Sequence, residues 1–381
     1  MNAETAVARA RDIATNVIGP QAAANDREGR FSTDAVRALG ESGILGLLLP
    51  AMVGGSQLGP KEFAEVTANL AEADPSVAMV FVMHVLGAGA IAAAPDGAHV
   101  RPVLEEIARG RHLSTLAFSE VGSRSHFWAP VSRAARDGAG VVISARKSWV
   151  TSAGHAQSYV VSSLSPDGVG PTESTLYLVL ADAKGLSVAG AWDGMGMRAN
   201  AAAPMTLDRC GVGPGMQLTR DGGGFAAMME TVLPLFNLGS AAVALGICRA
   251  VVSATTNHLK HARFEHLGAS LGESLPTLRA QLATMQIETD GLAARVDDVV
   301  GHLVHPNDLT TLRVLEVKAA AGETAIEVTS LAMRTCGGAA FSKQTGIERF
   351  FRDAHAGVVM APTADVLRDL IGKALLGLPL F

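Results

Sequence analysis

Two side chains in the run Lys147-Ser148-Trp149-Val150-Thr151 are placed to do chemistry together. On a β-strand, residues two apart point to the same face. Trp149 would then offer a flat apolar wall and Thr151 a hydroxyl beside it. Gly337-Gly338 carries no Cβ and would let the backbone approach a bound group closely. The acids Glu348 and Asp353 sit among Arg349 and Arg352 and read as ion-pair partners within a helical region. Glu120 reads as structural too. His261 and His266 lie close in sequence, but no carboxylate or cysteine spacing completes a ligand set, so no metal is expected. There is no phosphate-binding G-x-x-x-x-G-K-[ST] and no H-E-x-x-H. Gly211-Val212-Gly213-Pro214-Gly215 lacks a βαβ context and reads as a turn.

The chain has 381 residues, 48% hydrophobic and 18% charged, which supplies a large core and implies two or three structural units. Aromatics are 4%, so that core is built mostly of Ala, Leu and Val, a composition suited to closely packed helices. The net charge of −5 and the lack of a basic run argue against nucleic acid. Cys210, Cys248 and Cys336 are far apart and odd in number, as expected of buried, reduced thiols in a cytoplasmic protein. The apolar stretch 77–94 is interrupted by His84 and glycines and reads as a buried helix; no membrane span is expected.

The elements that must position these residues fall into three parts. Residues 1–112 read as an N-terminal helical domain, with helix starts near Thr33, Pro60 and Pro75. Residues 113–220 carry short apolar runs between Gly, Asp, Pro and Ser, as in 140–144, 159–162 and 175–180; they read as a central β-barrel-like domain. Residues 221–381 return to helical periodicity in four long runs, 225–263, 275–304, 308–334 and 359–376, and read as a C-terminal four-helix bundle. The fold class is therefore α+β and multi-domain.

Four segments in this order resemble the acyl-CoA dehydrogenase family over almost the full length. They are Leu116-Ala117-Phe118-Ser119-Glu120-Val121-Gly122-Ser123, Lys147-Ser148-Trp149-Val150-Thr151, Gly194-Met195-Gly196-Met197-Arg198, and Gly337-Gly338 followed by Ile347-Glu348-Arg349-Phe350-Phe351-Arg352-Asp353-Ala354. The resemblance implies bound FAD, whose isoalloxazine carries the redox chemistry while the protein positions it. It further implies that Trp149 packs on the ring, that Thr151 bonds near its N5, and that Phe118, Ser119, Ser125 and Thr363 are further cofactor contacts. Arg263 resembles an arginine that reaches the FAD of a neighbouring subunit, and Gly337 and Gly338 resemble close backbone contacts to the cofactor. A homotetramer assembled through the bundles is implied.

The departures from the family matter most. The family's catalytic glutamate aligns with Ala361, and the alternative base position falls at Phe236 or Asn237. None of these side chains can take up a proton. A general base contributes ~10²–10⁴-fold in rate. His126, in a loop that usually borders the substrate channel, is the remaining candidate. The implied substrate pocket is Ser125, His126, Phe236, Asn237 and Ala361. Three functions follow. One is oxidation of an acyl thioester, on CoA or a carrier protein, with an electron-transfer flavoprotein as acceptor and an atypical or missing base. Another is a flavin-dependent monooxygenase fed by a flavin reductase. The third is a catalytically degenerate paralogue.

Overall fold

The computed structural model describes residues 1–94 and 97–381. The chain opens with helix α1, Ala3–Ile13, capped by the Asn2 side chain. A π-helical turn, Ala14–Ile18, carries it into α2, Gly19–Glu28, which stops at Gly29 in the left-handed region (φ 63°). Next come α3 (Thr33–Glu41), α4 (Pro60–Ala73), α5 (Pro75–Ala92) and α6 (Gly97–Ala108). Both α4 and α5 begin on proline, which has no N–H to leave unsatisfied. Asp74 caps α5 by accepting from Ser76 N–H at 2.8 Å. The helix starts expected at Thr33, Pro60 and Pro75 are all present.

Strands follow: β1 (Ser114–Ala117), β2 (Ala135–Asp137), β3 (Gly140–Val150), β4 (Ser158–Leu164), β5 (Ser174–Leu180), β6 (Leu186–Val188) and β7 (Ala203–Val212). They form two open sheets, ordered β1-β4-β5 and β2-β3-β7-β6, rather than a closed barrel. The isolated bridges Glu120 to Lys147, Arg133 to Leu164 and Tyr177 to Gln217 each use a residue outside the named strands, so among the described residues no ladder pairs one sheet with the other. β1 lies parallel to β4; all other pairings in the two sheets are antiparallel. Alternate residues of β3 are buried, and Ile143, Met205 and Tyr177 help fill one shared core.

Helices resume with α7 (Gly224–Ala227), a π-helical turn at Met228–Val232, and α8 (Leu233–His261). A short hairpin, β8 (Arg263–Phe264) with β9 (Ala269–Ser270), turns the chain into α9 (Leu271–Ser274) and α10 (Pro276–Val304). The remaining helices are α11 (Thr310–Cys336), α12 (Gly338–Phe341), α13 (Ile347–Ala354), α14 (Ala356–Val359) and α15 (Ala364–Leu375). Four of these, α8, α10, α11 and α15, correspond to the four expected long runs. Helix α8 lies against α4 so closely that a Cβ on Gly246 would stand 2.4 Å from the Ala68 carbonyl oxygen. This contact fuses the first and last helical parts into one core.

Two helical stretches, Pro75–Ala92 and Gly224–His261, are long and apolar enough to cross a membrane, but 83% of each apolar window is buried inside the fold. That burial supports the reading of 77–94 as a core helix. All three cysteines are free and buried. His84, also fully buried, ties α5 to its neighbours: its Nδ1 accepts from Ser114 N–H (3.0 Å) and its Nε2 faces the Leu45 carbonyl oxygen (3.1 Å).

Candidate functional site

Residues 356–363 form a short segment between α13 and α15, and two side chains from distant elements hold it. Lys318, in the middle of α11, is 2% exposed. Its Nζ donates to the carbonyl oxygens of Gly357 (3.3 Å), Met360 (3.1 Å) and Pro362 (2.7 Å). Burial pulls its pKa from the ordinary lysine range down to about 7. From the β domain, Ser125 Oγ accepts from Thr363 N–H (2.8 Å) and its hydroxyl donates to Thr363 Oγ1 (3.3 Å). Thr363 also caps α15. Ala361, half-buried, lies between these two attachments.

Phe236 comes to the same place from the first turn of α8, with Lys318 Nζ 5.7 Å from its ring centroid. The two expected base positions, Ala361 and Phe236, therefore converge on one lysine. Asn237 has turned into the bundle: it is fully buried and its amide donates to the Val314 carbonyl oxygen at 2.9 Å. Its Oδ1 has no partner among the described residues. Of Ser125, Phe236, Asn237, Lys318, Ala361 and Thr363, none is an acid.

The pair Trp149 and Thr151 differs from the simple strand expectation. β3 ends at Val150, and its register shifts between Lys147 and Val150. Trp149 itself lies in the left-handed region (φ 60°), which is unusual for a bulky residue. The bulge breaks the two-residue alternation and re-aims the indole. Trp149 is 58% exposed, whereas Thr151 is buried in the following turn. Phe118 is buried and stacks on Phe127, and Ser119 beside it is half-buried.

His126 is exposed and stacks on Trp128 at 4.9 Å, which in turn meets Phe381 edge-on at 5.1 Å. The motif acids are occupied elsewhere. Glu120 pairs with buried Lys147 (2.6 Å) and accepts from Val131 and Ser132 N–H groups. Asp353 accepts from Met197 N–H at 2.6 Å, and burial raises its pKa to about 7. Arg352 bonds Asp26 and Glu348, and Arg349 reaches Asp74 and the Ala73 carbonyl oxygen. Only the Arg352–Glu348 pair lies within the bundle, as the sequence reading expects. Arg352 to Asp26 and Arg349 to Asp74 reach across to the first helices instead and lock the bundle to them, and Asp353 pairs with a backbone N–H rather than an arginine. A G-x-S-x-G string at Gly268-Ala269-Ser270-Leu271-Gly272 is a helix start rather than a nucleophile turn: Ser270 Oγ accepts from Glu273 N–H and caps α9.

Arg263, Gly337 and Gly338 are exposed and stand apart from the residues gathered around Lys318. Arg263 follows the C-terminal end of α8, and Phe236 opens that helix. At 1.5 Å per residue the two are separated by about 40 Å.

Family models for the acyl-CoA dehydrogenase N-terminal, middle and C-terminal domains match residues 2–111, 115–210 and 222–376. The chain belongs to the acyl-CoA dehydrogenase family. Among curated relatives, it is similar to a probable acyl-CoA dehydrogenase, YngJ, of Bacillus subtilis (strain 168), 26% identical over 96% of each chain. Among solved structures, butyryl-CoA dehydrogenase from Megasphaera elsdenii superposes with a TM-score of 0.91 at 21% identity, covering 98% of both chains. A complex described as PigA with FAD and proline gives 0.90 at 16% identity, covering 99% of this chain and 97% of that one. The acyl-CoA dehydrogenase fold is thus shared well beyond sequence likeness.

Lys318 was not among the residues singled out from the sequence of this acyl-CoA dehydrogenase family member. A signal was present. It is the lone cation within the apolar run Val314, Leu315, Val317, Ala319, Ala321 of a helical segment. A charge on a buried helix face needs partners, and here those partners lie on a loop far along the chain.

Proposed function

We propose that this chain is an FAD-dependent oxidoreductase of acyl thioesters that works without the carboxylate base usual in its family. The observation that carries this reading is the environment of Ala361. Its loop is held on both sides, by Lys318 and by Ser125, and none of the side chains assembled there is an acid.

The residues present fit a flavin. Trp149 offers an open indole face, and the hydroxyls of Ser119 and Thr151 are not engaged by other described side chains. Gly337 and Gly338, where a Cβ would meet nothing within 4 Å, end α11 about 28 Å along the helix from Lys318, so, like Arg263, they would approach the cofactor of a second copy. FAD, when bound, supplies the hydride acceptor. Trp149 would support the flat ring, Thr151 and Ser119 would hydrogen-bond its edge, and Phe118, Ser125 and Thr363 would shape the junction between the β domain and the bundle. Phe236 and Ala361 would line the acyl side. Arg263 lies too far along α8 to serve this same site, which supports its acting on the cofactor of a second copy in a homotetramer. Light scattering on the FAD-loaded protein checks the assembly; a loaded monomer would overturn it.

The electron acceptor proposed is an electron-transfer flavoprotein. The deciding experiment is anaerobic addition of saturated CoA and carrier-protein thioesters to the oxidised holoprotein, following loss of the flavin absorbance. Slow or absent bleaching with tight thioester binding is expected for a site without a carboxylate base, its buried lysine being held by three backbone carbonyls. Bleaching at ordinary dehydrogenase rates would mean that a base is present. The same lack of an acid also favours a second reading, a monooxygenase that takes reduced flavin from a reductase. It is distinguished by a requirement for oxygen and by product containing an oxygen atom from O₂.

A further inference from the structure

The peptide group between Pro362 and Thr363 is gripped at both ends. Its carbonyl oxygen accepts from Lys318 Nζ at 2.7 Å, and its N–H donates to Ser125 Oγ at 2.8 Å. Lys318 comes from the interior of the bundle and Ser125 from the β domain. No carboxylate pairs with Lys318 among the described residues; its partners are three backbone carbonyls of one loop. One turn farther along α11, Gly322 meets the same loop. A Cβ there would stand 2.9 Å from Val358 Cγ1 and 3.3 Å from the Gly357 carbonyl carbon. Helix α11 therefore presents a template of one cation and one bare backbone position, and the loop is moulded to it.

Hydrogen bonds in a chain polarise one another, more so away from water. A cation on the carbonyl oxygen withdraws electron density from the amide and makes its N–H a stronger donor. The ammonium of Lys318 thus reaches Ser125 through the amide that separates them.

We propose that Lys318 is a positioning residue: through the Pro362–Thr363 peptide group it fixes the loop bearing Ala361 and clamps that loop to the β domain at Ser125. The mechanical part of this stands alone. Only the naming of the loop as part of the site rests on the function proposed above. Removing the ammonium frees three buried carbonyls and weakens the Ser125 bond together, so loop and domain junction loosen as a unit.

The test is a double-mutant cycle on the FAD-loaded protein at about pH 6, where Lys318 carries its proton, with Lys318→Met, Ser125→Ala and the pair. It is read by amide hydrogen exchange in peptides covering 356–363 and by the visible flavin spectrum. Lys318→Met is expected to speed exchange at the Thr363 amide by tenfold or more. In the Ser125→Ala background the same substitution is expected to have at most a third of that effect, because the bond it acts through is gone. Lys318→Arg, which keeps a cationic donor, is expected to restore part of the protection. If Lys318→Met does not fold, Lys318→Gln takes its place in the cycle. Effects of Lys318 and Ser125 that simply multiply would overturn the proposal, as would unchanged exchange in the single variant. Neither readout involves turnover, so the outcome is independent of whether the chain oxidises thioesters.

Discussion

The indole of Trp149 meets that of Trp192 edge-on, with ring centroids 4.9 Å apart. Trp192 is itself held, because its Nε1–H donates to the Gly196 carbonyl oxygen at 2.9 Å. One indole thus braces the other, and Trp149 keeps a large open surface despite its unusual backbone. Burying an aromatic side chain is worth about 1.5–3 kcal/mol. Trp149→Ala is therefore expected to raise the Kd for FAD by about tenfold to a hundredfold, measured by fluorescence titration. Trp149→Phe should recover part of the loss. Unchanged affinity in the alanine variant would remove Trp149 from the cofactor site.

Ala361→Glu restores a carboxylate to the loop held by Lys318 and Ser125. Lys318 lies close by, so the new acid would have a cationic neighbour that favours its ionised form. The variant is expected to bleach its flavin anaerobically with saturated acyl-CoA at least ~10²-fold faster than wild type, followed by stopped-flow absorbance. Equal rates would show that the wild-type chain already holds a base elsewhere. Failure of both proteins would point to a pocket that rejects acyl-CoA.

Lys318 also makes stability depend on pH. Its folded pKa of about 7 lies below the ordinary value of 10.5. Between these values the unfolded chain holds more protons, so stability rises with pH, by up to about 1.4 kcal/mol per pH unit. The difference in unfolding free energy between wild type and Lys318→Met is expected to grow in favour of wild type from pH 7 to 10. Urea unfolding at a series of pH values checks it. A flat difference would mean that the buried amine titrates as it does in water.

His84 acts at the acid end. Burial lowers its pKa from 6.5 to about 4. With Nδ1 accepting from Ser114, the ring proton belongs on Nε2, facing Leu45. A second proton would set two donors against each other. As pH falls from 6.5 towards 4 the unfolded chain takes up that proton first, and about 3 kcal/mol of stability is lost over this window. His84→Gln is expected to lack this part of the acid sensitivity, as followed by thermal unfolding between pH 4 and 7.

The order of helices, strands and helices was legible because periodicity and punctuation agree at each switch. Asp74-Pro75 announces α5, and the apolar runs at 140–144, 159–162 and 175–180 all lie in strands. The openness of the two sheets was not legible, since it depends on which edges pair rather than on which residues form strands. Of the residues proposed for the site, Ser125 and Thr363 were each named from their own segment, and the structure joins them by hydrogen bonds. Two features lay outside that reach. The twist at Trp149 comes from a register shift against β7, and the role of Lys318 depends on carbonyls that carry no sequence identity.

The three cysteines have a practical consequence. Cys210, Cys248 and Cys336 are at most 5% exposed, and burial raises the pKa of each, so little reactive thiolate forms near neutral pH. A maleimide added to the folded protein should find almost nothing to modify. Any single cysteine introduced at an exposed position, such as Val169 or Phe341, would then be a unique handle for a spin label or a fluorophore without removing a native residue. Distances between copies in an assembly, or between loops within one chain, become measurable on an otherwise wild-type background.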